Sequence, residues 1–216
     1  MTGRVTVRQI WRYPVKSMAG EQLEATLLTV DGVPGDRIVH ARDDQRILTA
    51  RRHPALLGFR ARLGDDGEPL VDGEPWASEI VAARIQEAVG PKVRLARFDG
   101  PERFDVLPLL VATDGAIAAL GMDRRRFRPN ILVGGTTVDA ERSWPGKRLR
   151  IGKAIIDVAS LRQRCVMTTY DPDSQVQDFS VLGRIKRERG GRLALDCCVI
   201  EPGRVVLGDL VEVLED

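Results

Sequence analysis

The sequence predicts a mainly β protein with a few short helices, an α+β chain whose strands curl into barrels. Three observations carry this. Apolar, strand-like runs recur at short spacing from end to end, clusters of Gly, Pro and Asp punctuate them, and only three stretches have helical periodicity with plausible caps. With 216 residues, 43% of them hydrophobic and 30% charged, the chain can bury a real core, as one domain or as two small ones closely packed.

The elements follow in order. VTVRQIWRYPV (Val5–Val15) and LEATLLTV (Leu23–Val30) have strand composition with partial alternation, and Gly20 lies in the link between them. DGVPGDR (Asp31–Arg37) is a dense turn cluster. RIVHA, RILTA, LLGFRARL and KVRLARF read as further strands, with a helix over SEIVAARIQEAVG capped by Ser78 and stopped at Gly90-Pro91. LPLLVAT (Leu107–Thr113) is a strand after which Thr113 is placed to cap a short helix through DGAIAALG. NILVGG, RLRIG, KAIIDVAS, RLALDCCVIE and RVVLGDLVEVL are strands, the last two joined by the tight turn EPGR (Glu201–Arg204). The third helix fits DFSVLGRIKRERGG: Asp178 caps it, Val181, Leu182 and Ile185 form the apolar stripe, and Gly190-Gly191 end it. The polar segment FDGPERFD (Phe98–Asp105) is the best boundary, dividing the chain into 1–98 and 99–216.

Composition excludes several functions. Net charge is +2, from 33 basic and 31 acidic residues, so the chain is no polycation for nucleic acid or a membrane surface. The first residues lack the apolar stretch of a signal peptide, and the longest apolar runs fall well short of the ~20 residues of a membrane span. Three cysteines, two of them adjacent, make a poor disulfide framework, which points to a reduced, cytoplasmic setting.

The candidate reactive groups are few. His40 and His53 have no spaced partner, so a His/Cys zinc site lacks ligands. Cys197 and Cys198 lie inside a strand and read as small hydrophobes on opposite faces. Cys165 differs: Arg162 and Arg164 precede it, and a polar Asp-Pro-Asp turn follows. Nearby guanidinium charge favours the thiolate, the form that binds metals and attacks electrophiles. The residues alone leave both a reactive thiolate and a structural cysteine open. Lys16-Ser17, Arg37 and Arg128 sit at strand ends or turns and can jointly hold a phosphate or other anion; scattered surface charge is the other reading.

Six stretches, taken in order, decide between these readings. YPVKS (Tyr13–Ser17), GDR (Gly35–Arg37), LTARRHPAL (Leu48–Leu56), RFRPNILVGG (Arg126–Gly135), RCVMTTYDPDSQ (Arg164–Gln175) and PGRVVLGDLVEVL (Pro202–Leu214) cover nearly the whole chain. In them the sequence resembles the MOSC proteins, specifically those with an N-terminal MOSC β-barrel packed on a β-barrel-like MOSC domain. That group includes the mitochondrial amidoxime-reducing components and their bacterial relatives.

The resemblance implies a molybdenum cofactor, a pterin dithiolene (molybdopterin) carrying the metal and a terminal phosphate. It makes Cys165 the molybdenum ligand and catalytic centre. Lys16, Ser17, Arg37 and Arg128 would hold phosphate and pterin, with Asn130 and Arg164 as second choices. The implied activity is reduction of small N-hydroxylated compounds, amidoximes and hydroxylamines, with electrons from a separate flavoprotein, ferredoxin or haem protein. Neither nucleic acid nor membrane enters, and no Cys-rich ferredoxin-like extension, mitochondrial leader or membrane anchor is visible. The alternatives are a non-catalytic carrier of cofactor or sulfur using Cys165, and a metal-free β-barrel binding module. Two departures mark the site wall: Val106-Leu107 stand where relatives often have a polar pair, and Cys197 replaces a frequent aromatic residue.

Overall fold

The computed structural model describes residues 4–98 and 100–215. The first half contains β1 (Thr6–Arg12), β2 (Glu21–Leu23), β3 (Ala25–Leu28), β4 (Val39–Arg42), β5 (Ile47–Leu48), β6 (Ala61–Leu63), β7 (Pro69–Val71), β8 (Glu74–Pro75), α1 (Glu79–Val89) and β9 (Arg94–Arg97). The second half contains β10 (Leu109–Thr113), α2 (Asp114–Leu120), β11 (Ile131–Gly134), β12 (Arg148–Ile151), β13 (Ala154–Gln163), α3 (Phe179–Arg189), β14 (Arg192–Glu201), β15 (Gly203–Val206) and β16 (Val211–Leu214). The mainly β class with a few short helices is the observed one.

Eight strands form one curled sheet in the order β16-β12-β13-β14-β10-β11-β1-β2. Within it only β10 and β11 run parallel; the long antiparallel pair β13–β14 shifts register at three points, which bends the sheet. Alternation gives this sheet two cores. Leu109, Val111, Ile131, Val133, Leu195 and Cys197 face one apolar cluster, closed by Leu28 of β3 and Val205 of β15. Leu110, Ala112, Leu132 and Leu193 face the other, under α2 and α3. A third cluster gathers residues of the first half, from Val15 to Val93, around Val81 and Ile85 of α1. The strands β1, β2 and β3 pair with strands of the second half or with each other, so the main sheet draws on both halves. The expected boundary at 98/99 falls on Asp99, which lies outside the described residues.

Helices α1 and α3 have the expected ends. Ser78 accepts a hydrogen bond from Val81 N at 3.3 Å to start α1, and Asp178 accepts one from Ser180 N at 2.9 Å to start α3. Val181, Ile185 and Arg189 give α3 its buried stripe, with Leu182 at the margin, and Gly190 ends it in a left-handed conformation, φ 63°. No described helix is long and apolar enough to cross a membrane.

Three local expectations need correction. Thr113 stands at the N-cap position of α2 but makes no side-chain capping bond; its hydroxyl donates to the buried carboxylate of Glu141 at 3.0 Å, a tertiary bond that outcompetes the local one. In LLGFRARL only Ala61–Leu63 is strand, because Pro54 sets a 3₁₀ turn through Gly58. RVVLGDLVEVL breaks into β15 and β16, which pair with β3 and β12 respectively. The tight turn at EPGR therefore leads out of the main sheet. The Gly-, Pro- and Asp-rich stretch after Leu63, for which the sequence predicts no element, holds β7 and β8, which are too short to show alternation.

Candidate functional site

Three strand ends and one turn build a cleft. YPVKS leaves the end of β1, FRPN enters β11, RC follows β13, and GDR turns between β3 and β4. Their side chains line a single cavity: Lys16, Ser17, Arg37, Arg128, Asn130, Arg164 and Cys165 all border it. Every sequence-predicted site residue is thus brought together there, although some lie more than a hundred positions apart.

The backbone is specialised at this place. Among the described non-glycine residues, six have positive φ, and three of them are Ser17 (72°), Arg37 (56°) and Arg128 (54°). Such conformations cost on the order of 1 kcal/mol or more for residues with a Cβ and gather at sites that need a particular aim. Here the surrounding bonds impose them. Tyr13 N donates to Asp36 Oδ1 at 2.7 Å while Arg37 N donates to Tyr13 O at 2.7 Å, so strand end and turn clasp each other. Asp36 is fully buried and also accepts from Asn130 Nδ2 at 3.2 Å and from the guanidinium of Arg37. Asn130 spends its other bonds inside the fold, accepting from Leu110 N at 3.1 Å and donating to Trp11 O at 3.3 Å.

The cavity is strongly cationic. Lys16, Arg37, Arg51, Arg126, Arg128, Arg162 and Arg164 line it against one carboxylate, Asp105, with Phe104, Leu107, Leu110, Phe127 and Met167 forming the apolar part. Arg128 lies 4.2 Å over the ring centroid of Tyr13, and Arg164 donates to Phe127 O at 2.9 Å. Burial lowers both guanidinium groups to about 10, still charged at neutral pH. It also pushes the Tyr13 phenol up to about 12, so its hydroxyl stays neutral and donates to Pro129 O at 3.1 Å. Arg128 Nη2 and Arg164 Nε are buried with no hydrogen-bond partner, which marks donors available to an anion. Ser17 Oγ accepts from Ala50 N at 3.0 Å, leaving its proton free to donate.

Cys165 is partly exposed and heads a 3₁₀ turn, Val166–Thr169, whose Thr168 N donates to its carbonyl at 3.1 Å. A small apolar cluster of Ala50, Leu57, Tyr170, Val166 and Met167 braces that turn against the first half. Downstream, Asp171 Oδ1 accepts from Asp173 N and Ser174 N at 3.1 and 3.0 Å, a side-chain-built turn. Arg126 binds Asp171 at 2.9 Å, and Arg125 grips both oxygens of Asp173 at 2.7 Å. These aspartates shape the loop and do not line the Cys165 cavity. Cys197 is buried and Cys198 is half-buried on the opposite face. His40 is buried with its ring edge-on to Phe98, and burial, with Arg42 and Lys16 nearby, lowers its pKa. Among the described residues no three His, Cys, Asp or Glu side chains converge as a metal cluster.

Sequence reasoning missed Asp36, Arg51, Asp105 and Arg126 as parts of this site. Asp36 lies in GDR, Arg51 in LTARRHPAL and Arg126 in RFRPNILVGG, so membership of those stretches was the available signal. Asp105 bridges Lys16 at 2.8 Å and Arg51 at 3.0 Å. Its burial opposes ionisation, but Lys16, Arg51 and Arg37 together hold its carboxyl below the ordinary value. A depressed carboxylate stabilises the fold above its unfolded value near 3.9, and that contribution is lost as pH falls through the folded value. Because Asp105 is 39% exposed, solvent screening limits the effect. Asp105→Asn is expected to lose at most about 1 kcal/mol at neutral pH and nothing at the acid end. Urea unfolding between pH 3 and 7 checks this; an acid limb as steep in the variant as in the parent would contradict it.

Comparison with known proteins places this geometry. A model of the MOSC N-terminal beta barrel domain matches residues 4–105, and a model of the MOSC domain matches residues 112–212. Human mitochondrial amidoxime-reducing component 1 is 35% identical over an alignment covering 79% of this chain and 68% of the human protein. The chain belongs to the MOSC family. Mouse mitochondrial amidoxime-reducing component 1 is 26% identical, covering 80% of this chain and 68% of its own. Human mitochondrial amidoxime reducing component 2 is also 26% identical, covering 80% and 69%. The fold is that of the YuaD protein from Bacillus subtilis, with a TM-score of 0.54, 14% identity and coverage of 98% of this chain and 96% of that one. In this MOSC protein the cavity draws residues from both family segments: Lys16, Ser17 and Arg37 from the first, Arg128, Arg164 and Cys165 from the second.

Proposed function

We propose that this MOSC protein is a molybdenum-cofactor-dependent oxidoreductase that reduces N-hydroxylated compounds with electrons from a separate donor protein. The observation that carries the reading is the donor set of one cavity: a thiol, a cluster of cations and two buried guanidinium nitrogens without partners. A soft thiolate suits molybdenum, and the cations suit an anionic phosphate and pterin, so the residues present fit such a group. Cys165 would ligate the metal. Lys16, Ser17, Arg37 and Arg128 would hold phosphate and pterin, supported by Arg164, while Asn130 contributes through Asp36. When bound, the cofactor supplies two-electron redox chemistry.

The chain's own residues do the rest. Lys16, Arg37 and Arg128 offer charge-assisted donors in orientations set by left-handed backbone at Arg37 and Arg128. Arg162 and Arg164 line the same cavity as Cys165. Arg162 is itself held by buried Asp196, with Nε 2.7 Å from Oδ1. Phe104, Leu107 and Met167 restrict water on the apolar side. The overall reaction takes two electrons and two protons, removes the N-bound oxygen as water, and leaves the amine or amidine.

The test is purification from a host that makes molybdopterin, followed by metal analysis and an assay with an artificial reductant and benzamidoxime. Molybdenum stoichiometric with the chain and production of benzamidine are expected. Full loading without turnover would return the carrier reading, and protein that never acquires molybdenum would overturn both. The named activity of the amidoxime-reducing relatives supports the choice of substrate. The donor would be a flavoprotein, ferredoxin or haem protein, and the setting cytoplasmic.

A further inference from the structure

A second cavity, of about 180 Å³, shares only Arg128 with the Cys165 cavity. Trp11 and Tyr13 stack side by side along one wall, with centroids 6.3 Å apart and planes 20° from parallel. Leu57 and Gly58, which end the first 3₁₀ turn, and Pro172 of the Asp-Pro-Asp loop also line it. The loop that the Cys165 cavity leaves unused thus has a cavity of its own. Gln175, a non-glycine residue at φ 57°, closes this side, and strained backbone of that kind tends to mark a place where side-chain aim matters.

The charge is uneven. Arg60, Arg125 and Arg128 line the cavity against Asp173 alone, and both oxygens of Asp173 are already held by Arg125. Arg60 is exposed and makes no ion pair among the described residues. Arg128 keeps a buried Nη2 without a hydrogen-bond partner. Two guanidinium groups therefore remain for one anionic head, and aromatic and aliphatic walls remain for an apolar body. The volume suits a single ring: a cavity of about 150 Å³ holds benzene. Guanidinium forks match carboxylates in particular.

We propose that this second cavity binds a small aryl carboxylate, one aromatic ring carrying one carboxylate, at a site separate from the Cys165 cavity and joined to it through Arg128 alone. The carboxylate meets Arg60 and Arg128, and the ring lies against Trp11, Tyr13 and Leu57. Because Arg128 borders both cavities, a ligand here also bears on the cation that the first cavity presents.

Benzoate is the probe, benzamide its uncharged counterpart, and tryptophan fluorescence the readout, since Trp11 lines the cavity. The full-length protein is titrated with inorganic phosphate present to occupy the cations of the first cavity. Saturable quenching by benzoate is expected, with benzamide at least about tenfold weaker. Gly58→Leu fills the space: a Cβ there would meet only the flexible end of Gln175, at 3.2 Å, and benzoate binding should vanish. Arg60→Gln, at an exposed position where folding is not at risk, should weaken benzoate about tenfold. Lys16→Met, which removes a cation of the first cavity alone, should leave it unchanged. Benzoate binding that Lys16→Met or phosphate abolishes, or that both Gly58→Leu and Arg60→Gln leave intact, would assign the anion to the first cavity and overturn the proposal. Equal binding of benzamide, or no saturable quenching, would overturn it as well. Loading the protein with molybdenum cofactor separates this site from the proposed activity: benzoate binding should persist in loaded protein, weakened through Arg128 but still saturable through Arg60, and its complete loss on loading would also refute a separate site.

Discussion

Cys165→Ser is expected to give a folded protein with an altered molybdenum signal and at least a hundredfold less amidoxime reduction. A hundredfold is about 2.7 kcal/mol of barrier. Serine oxygen is a harder donor and stays protonated at neutral pH, so it does not replace a thiolate on molybdenum. The fold should tolerate the change. Cys165 is only partly buried, and the local turn is held through its backbone carbonyl, which accepts from Thr168 N at 3.1 Å and Thr168 Oγ1 at 2.9 Å. The cationic residues remain in place, so some cofactor should still be retained through phosphate and pterin. Cys197→Ser and Cys198→Ser are the controls. Cys197 lies in the core, where burial raises its thiol pKa well above the ordinary value, and a hydroxyl there should cost about 1–3 kcal/mol in denaturant unfolding. Both controls should keep the molybdenum signal. A Cys165→Ser protein with the parental spectrum and turnover would remove this residue from the site.

The parts of the fold that sequence reasoning reached are those written in local chemistry. RLALDCCVIE coincides with β14 because its ends carry clear turn signals. All three helices were legible, two of them from side-chain caps formed as expected. What could not be read is tertiary choice. Thr113 has good capping chemistry, yet its hydroxyl turns to Glu141, nearly thirty positions away. Neither the recruitment of β1 into the second half's sheet nor the pairing of β15 with β3 leaves a local trace. The cavity follows the same rule. Lys16, Ser17, Arg37, Arg128 and Cys165 sit in short turn motifs at strand ends, where a motif can be recognised. Asp105 gives no such sign, because its importance lies in bridging Lys16 and Arg51 from a loop more than fifty residues away. Arg164 and Arg128 looked alike as charges; only the structure shows which of their nitrogens lack partners.

Asp36 is where fold and cavity depend on the same atoms, and Asp36→Ala is expected to be the most destabilising of these substitutions. Its fully buried carboxylate accepts from Tyr13 N at 2.7 Å, from Asn130 Nδ2 at 3.2 Å and from Arg37. Alanine leaves a backbone N–H, an amide N–H and a guanidinium without that acceptor, with no solvent to replace it. Breaking a buried pair from one side costs about 3–5 kcal/mol. For a chain of this size that corresponds to a fall in Tm of roughly 6–15 °C. The loss should extend to anion binding, because the clasp between Tyr13 and the GDR turn is what holds Arg37 at φ 56° and aims it into the cavity. Asp36→Asn sharpens the result: its carbonyl can still accept from Tyr13 N, while its amide meets the donors of Arg37 and Asn130. It should recover part of the stability but little of the phosphate affinity. Thermal unfolding and phosphate titration of both variants make the comparison. A loss below about 1 kcal/mol in Asp36→Ala would place the pair among ordinary surface contacts. Unchanged phosphate affinity in a destabilised variant would show that Arg37 holds its position without Asp36.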